Sequence, residues 1–125
     1  MNEWVLTFPA PAEPLSMNDK DNRSTGRQKQ AWRDIAYYLY IEHFPGVGPK
    51  GRALPPCDVF TVIPFATNRR RDPINFTRTV KAIVDGIQRA GAWPDDTDEY
   101  VTQHVPKLVL DPSLTAIIRI AERKP

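Results

Sequence analysis

The hydrophobic positions of this chain fall into short runs of changing period, and each change marks an element. Trp4 to Phe8 is a brief apolar run closed by Pro9, Pro11 and Pro14, which reads as a first strand leaving a sheet. Leu15 to Gly26 is polar and without period, so it reads as a loop. Trp32, Ile35, Ala36 and Leu39 then stand at i, i+3, i+4 and i+7, the stripe of an amphipathic helix from about Gln28 to His43. Pro45 sets its limit, because the residue before a proline is pushed out of the helical region. Gly46, Gly48, Pro49, Gly51, Pro55 and Pro56 mark a second, structureless connection.

Cys57 to Ile63 is apolar on both alternating sets, with Val59 and Ile63 on one side and Phe60 and Val62 on the other. That predicts a central strand covered on both faces and ended by Pro64. Phe76, Val80, Ile83, Val84, Ile87 and Ala90 mark one face of a second helix, with Gly91 as its stop signal. Pro94 and the acidic run from Asp95 to Glu99 form the next loop. Tyr100 to Leu110 and Leu114 to Ala121 read as two strands, and their short Asp111-Pro112-Ser113 connection predicts antiparallel neighbours. The order β-α-β-α-β-β gives an α/β (α+β) fold: a mixed sheet with helices packed against it.

A length of 125 residues predicts one domain, residues 1–125. Thirteen prolines against six glycines fit short elements joined by stiff connections. One cysteine, Cys57, excludes an intramolecular disulfide framework and a cysteine-based zinc site, and its apolar surroundings suggest a buried bystander. The first residues show no signal peptide, and no run approaches the ~18 apolar residues of a membrane span. A reducing, aqueous compartment is the expectation.

The net charge of +2 conceals a segregation. Residues 18–33 carry five cations against two carboxylates, a local +3. Residues 67–81 carry five against Asp72 alone, a local +4, while residues 82–100 reach −4. Basic loops beside a carboxylate cluster suit a polyanion processed with a divalent cation. Lysines and arginines neutralise phosphates, and the carboxylates make sense there if Mg²⁺ bridges them to the scissile group. Solvated loop faces explain the same pattern more plainly, and charge alone leaves both readings open.

The informative stretch is Asn68-Arg69-Arg70-Arg71-Asp72-Pro73-Ile74-Asn75, then the helix with Lys81 and Asp85, then Gly91-Ala92-Trp93-Pro94-Asp95-Asp96. A helix of about 14 residues spans ~21 Å, so Asp72 and the Asp95-Asp96 pair lie far apart along its axis. They can meet only if the loop after Gly91 returns along the helix or a long extended segment precedes it.

These residues resemble the RusA-type Holliday-junction resolvases, small endonucleases common in phages and prophages. The likeness rests on the arginine run ending in Asp72, Asn75, the helix with Lys81 and Asp85, and the closing Ala-Gly-x-Trp-x-Asp-Asp. The flanks agree: a strand leading through prolines to Ser16-Met17-Asn18, a basic loop, and a helix holding Trp32-Arg33. The resemblance implies a homodimer in the bacterial host cytoplasm that binds four-way DNA junctions and makes paired, symmetric nicks with Mg²⁺, or Mn²⁺ in its place. It serves recombination and repair and has no membrane partner. Carried over by position, Asp72 and Asp96 match the family's metal-binding aspartates and Lys81 its catalytic lysine.

One position departs from the pattern: Ile74 stands where the family has a further aspartate. The Asp72–Lys81 segment is also about three residues longer than the pattern. Asn75 or Asp95 could complete the ligand set, and Asn75 could equally cap the second helix. DNA backbones are expected on Arg69, Arg70 and Arg71, and on Asn18, Lys20, Arg23, Arg27 and Lys29 in the first loop. Lys81 has an alternative as an i,i+4 surface partner of Asp85. Phe65 serves packing or base stacking, and Trp93 packs behind the site or at a dimer contact. The competing function is a branched-DNA-binding module without cleavage.

Overall fold

The computed structural model describes residues 2–44 and 53–123. Its elements are β1 (Glu3–Pro9), α1 (Arg23–His43), β2 (Cys57–Phe65), a 3₁₀ turn (Pro73–Phe76), α2 (Thr77–Arg89), β3 (Val101–Gln103), β4 (Lys107–Leu110) and β5 (Thr115–Glu122). They form a mixed five-stranded sheet with two helices, an α+β fold. The connection from Gly46 to Gly51 lies outside the described residues.

The sheet order is β1-β5-β2-β3, with β4 also paired to β2. β3 and β4 run parallel to β2, while β5 lies antiparallel between β1 and β2. The expected pairing of the last two strands is therefore corrected. β5 is not the neighbour of Tyr100–Leu110; β2 stands between them. The segment after Tyr100 is itself two short strands, interrupted where His104 N turns to Val59 O. Asp111 N then bonds Phe65 O at the end of β2, so the turn carries the chain around β2 rather than folding it back on itself.

Leu6, Phe8, Cys57, Val59, Ala116, Ile118 and Ile120 share one core with Trp32, Ala36 and Tyr40 of α1 and with Val80, Ile83, Val84 and Ile87 of α2. The other face of β2 is not covered by helices as expected: Asp58, Phe60 and Val62 remain partly exposed. Phe60 is shielded instead by the His104 ring at 4.3 Å and the Arg119 guanidinium at 4.1 Å. Apolar residues on both sides of a strand thus satisfied two different coverings.

α1 begins at Arg23, five residues before the predicted start. Asn22 Oδ1 accepts from Thr25 N while Thr25 Oγ1 accepts from Asn22 N, a reciprocal capping box. The apolar stripe begins only at Trp32, so periodicity did not reveal this polar first turn. α2 follows the predicted face, and a Cβ on Gly86 would overlap the Arg33 carbonyl oxygen of α1. Glycine here lets the two helices touch backbone to backbone.

Candidate active site beside the second helix

Three segments converge on α2. The first is the loop of residues 15–21, which the sequence left without a position. Thr79 Oγ1 accepts from Leu15 N at 2.7 Å and donates to Leu15 O at 2.9 Å. Met17 N donates to Asn75 O at 2.7 Å. Arg78 reaches back to Asp19 O at 3.1 Å and forms an ion pair with Asp21. The first basic loop is thereby tied beside the turn that holds Asp72.

The second segment is the arginine run. Arg69 and Arg70 are exposed. Arg71 is held: Nη1 donates to Thr67 O at 2.9 Å, Nη2 to Thr67 Oγ1 at 3.2 Å, and the guanidinium lies 3.8 Å above the Phe65 ring. Phe65 in turn meets Phe76 edge-on at 5.1 Å, so its ring packs and supports Arg71. Asp72 Oδ1 accepts from Ile74 N at 3.2 Å and caps the 3₁₀ turn. That corrects the capping expectation. Asn75 lies inside the turn, and α2 starts after Phe76 with no side-chain cap.

The third segment is the acidic loop. Gly91 takes a positive φ of 113°, a conformation that suits glycine and ends the helix. Ala92 N then bonds Ile87 O, and Gln88 Nε2 donates to the carbonyls of Trp93 and Pro94 at 3.3 Å. Trp93 is buried, its indole donating to Pro55 O at 3.0 Å, so it belongs to the core. The loop therefore returns along α2, and Asp96 Oδ2 sits 3.3 Å from Lys81 Nζ. Residues 15 positions apart meet across the solvent side of the helix.

The Lys81 ammonium bonds the Asp96 carboxylate and, against a smaller opposing effect of burial, holds its pKa below the ordinary value of 3.8. Asp95 Oδ1 accepts from Asp96 N at 2.8 Å. Lys81 is not the partner of Asp85. That carboxylate pairs with Arg33 of α1 at 2.6 Å and with Arg89 at 3.4 Å.

The structure brings Lys81, Asp95 and Asp96 together and ties the 15–21 loop to the Asp72 turn. It does not gather Asp72 and the acidic loop into one ligand group: among the described residues, no three His, Cys, Asp or Glu side chains are grouped to hold a metal. Asn18, Lys20, Arg23, Arg27 and Lys29 are exposed on the loop and the first turns of α1. Sequence reading missed the anchoring part of Arg78, although its place one turn ahead of Lys81 hinted at a shared helix face. His104 accepts a structural part through Asp58 at 2.9 Å. Cys57 is buried, and burial pushes its thiol up to about 11, which suits an inert bystander. No helix among the described residues is long and apolar enough to cross a membrane. Comparison with models of known families and with curated proteins found no match to either.

Proposed function

We propose that this protein is a Mg²⁺-dependent, structure-specific endodeoxyribonuclease that resolves four-way DNA junctions by paired nicks, as its likeness to RusA-type resolvases implies. The observation that carries the reading is the Lys81–Asp96 contact at 3.3 Å, built by the return of the chain after Gly91. An open ammonium beside an ionised carboxylate, flanked by two basic segments, suits attack on a phosphodiester.

The donor set fits a hard cation. Asp72, Asp95 and Asp96 offer carboxylate oxygens and Asn75 an amide oxygen, and Mg²⁺ is commonly held by one or two carboxylates with waters and substrate phosphates. Asp96 with Asp95 would hold it, and Mn²⁺ would substitute. When bound, the cation would polarise the phosphoryl oxygen and lower the pKa of an attacking water. Lys81 would set a positive charge against the charge that develops on the phosphate. Arg69 and Arg70 would grip the flanking backbone, and Arg71, already fixed on Phe65, would do so at little cost in ordering. Lys20, Arg23, Arg27, Lys29 and Asn18 would hold a second arm. A paired cut requires a second subunit, so the working form is a homodimer. Bacterial cytoplasm and a phage or prophage origin belong to the same proposal.

A second reading, recognition of branched DNA without cleavage, draws on two observations. No three-residue ligand group exists among the described residues, and Ile74 presents an exposed apolar side chain where the family pattern has an aspartate. A labelled synthetic four-way junction with Mg²⁺ separates the two. Symmetric nicks by the wild type support the enzyme, whereas binding with no product supports the module. Light scattering checks the dimer; a monomeric mass at working concentration contradicts it.

A further inference from the structure

One cleft extends from the arginine run of the candidate site onto β4. Phe65, Thr67, Asn68, Arg69, Arg71, Pro73, Lys107, Leu108, Val109 and Leu110 enclose about 350 Å³ between the arginine run and β4. Arg69, Arg71 and Lys107 supply three cations, and among the described residues no carboxylate lines it. The cleft beside α2 is different. There Lys29, Arg33, Arg78, Lys81 and Arg89 stand among Asp19, Asp21 and Asp85, so much of the positive charge is already answered.

The uncompensated cleft also offers apolar surface, since Leu110 is exposed on the outermost part of β4 and Phe65 forms part of the lining. Cations beside apolar and aromatic surface match a nucleotide of a single strand, whose phosphate and base are both accessible. A duplex offers mainly phosphates at its outside, and a cavity of about 350 Å³ does not admit one. Pro73, directly after Asp72, lies on the cleft wall, which sets the cleft beside the Asp72 turn.

We propose that this cleft binds single-stranded DNA adjoining the scissile phosphate, with Lys107 of β4 as a phosphate contact alongside Arg69 and Arg71. The inference rests on the reading that the chain acts on branched DNA, where strands separate near the crossover. Lys107 is exposed on a strand that pairs with β2 through residues 62–65, so replacing it leaves the core intact.

The test is fluorescence anisotropy with a labelled oligothymidylate over a range of salt, comparing wild type, Lys107→Ala, Lys107→Gln and Lys107→Arg. Both neutral variants should bind several-fold more weakly, with a salt slope shallower by about 0.7, the value for one lost single-strand phosphate contact. Lys107→Arg should restore both. Unchanged affinity and slope in the two neutral variants, or no binding by the wild type, overturns the proposal. Junction cleavage is read in parallel. Lys107-dependent oligonucleotide binding without cleavage retires the nuclease and keeps the cleft; cleavage with Lys107-independent binding retires the cleft and keeps the nuclease.

Discussion

Two of the carboxylate–cation contacts on helix α2 look alike in sequence and differ in kind. Asp85 and Arg33 approach to 2.6 Å with side chains only 22% and 17% exposed, at the seam where Gly86 lets α1 close in. Asp96 and Lys81 approach to 3.3 Å with side chains 30% and 67% exposed, and neither belongs to α1. A partly buried pair fixes how two helices sit. An exposed pair contributes little to folding, with a surface value of ~0–1 kcal/mol, and is therefore available for exchange with a ligand. Local net charge could not distinguish them, because it counts ionisable groups without regard to which are already partnered.

The largest effect expected on the open side of this contrast comes from metal removal. Chelation with EDTA should reduce junction nicking by at least about a hundredfold, since Lewis-acid assistance is worth several kcal/mol. Added Mg²⁺ or Mn²⁺ should restore it; product formation at full rate in EDTA contradicts the site. Lys81→Ala should also lower the nicking rate by about a hundredfold, the scale of losing one charge-stabilising donor. Its melting temperature should stay close to that of the wild type, and a large drop in melting temperature would move Lys81 to the structural side.

Smaller effects are expected at the seam, read as stability. Gly86→Ala should cost about 3 kcal/mol in urea unfolding, because the added methyl overlaps the Arg33 carbonyl and the helices must part. Asp85→Ala should cost about 1–2 kcal/mol, as it leaves a mostly buried arginine without its α2 partner. A Gly86→Ala protein as stable as the wild type would mean that the helices can move apart freely.

The smallest effect is acid dependence. Asp96 in the folded chain has its pKa held below the ordinary value of 3.8 by the Lys81 bond. The folded chain therefore binds fewer protons there than the unfolded one, which stabilises it above the ordinary carboxylate pKa. That contribution is lost as pH falls through the lowered native value. Asp96→Asn should differ from the wild type by under ~1 kcal/mol at pH 7, and the gap should close below about pH 4. Urea midpoints at pH 7 and pH 3 provide the check, and a gap that widens on acidification contradicts the assignment.

The elements with strong periods were legible in the sequence. α2, β1 and β5 follow their apolar positions, and the Gly91 stop is where the helix ends. The first turn of α1 was hidden because its signal is a capping box between Asn22 and Thr25 rather than an apolar stripe. Strand neighbours were also hidden. A short turn between two apolar runs permits a hairpin, and nothing local reports that β2 lies between them. At the site, the need for a returning loop was readable. The partner of Lys81 was not, because i,i+4 spacing offered Asp85 and only the fold brings in Asp96. That no described carboxylate lines the cleft of Arg69, Arg71 and Lys107 was equally out of reach, since the cleft depends on β4 lying beside the arginine run.

The decisive measurement compares Asp96→Asn with Asp85→Asn on one labelled four-way junction in Mg²⁺, at matched concentrations of folded protein. Paired nicks by Asp85→Asn, with binding but no product from Asp96→Asn, is the predicted result. Cleavage by Asp96→Asn at the wild-type rate, or loss of cleavage in Asp85→Asn alone, would contradict the assignment of chemistry to the open side of the helix.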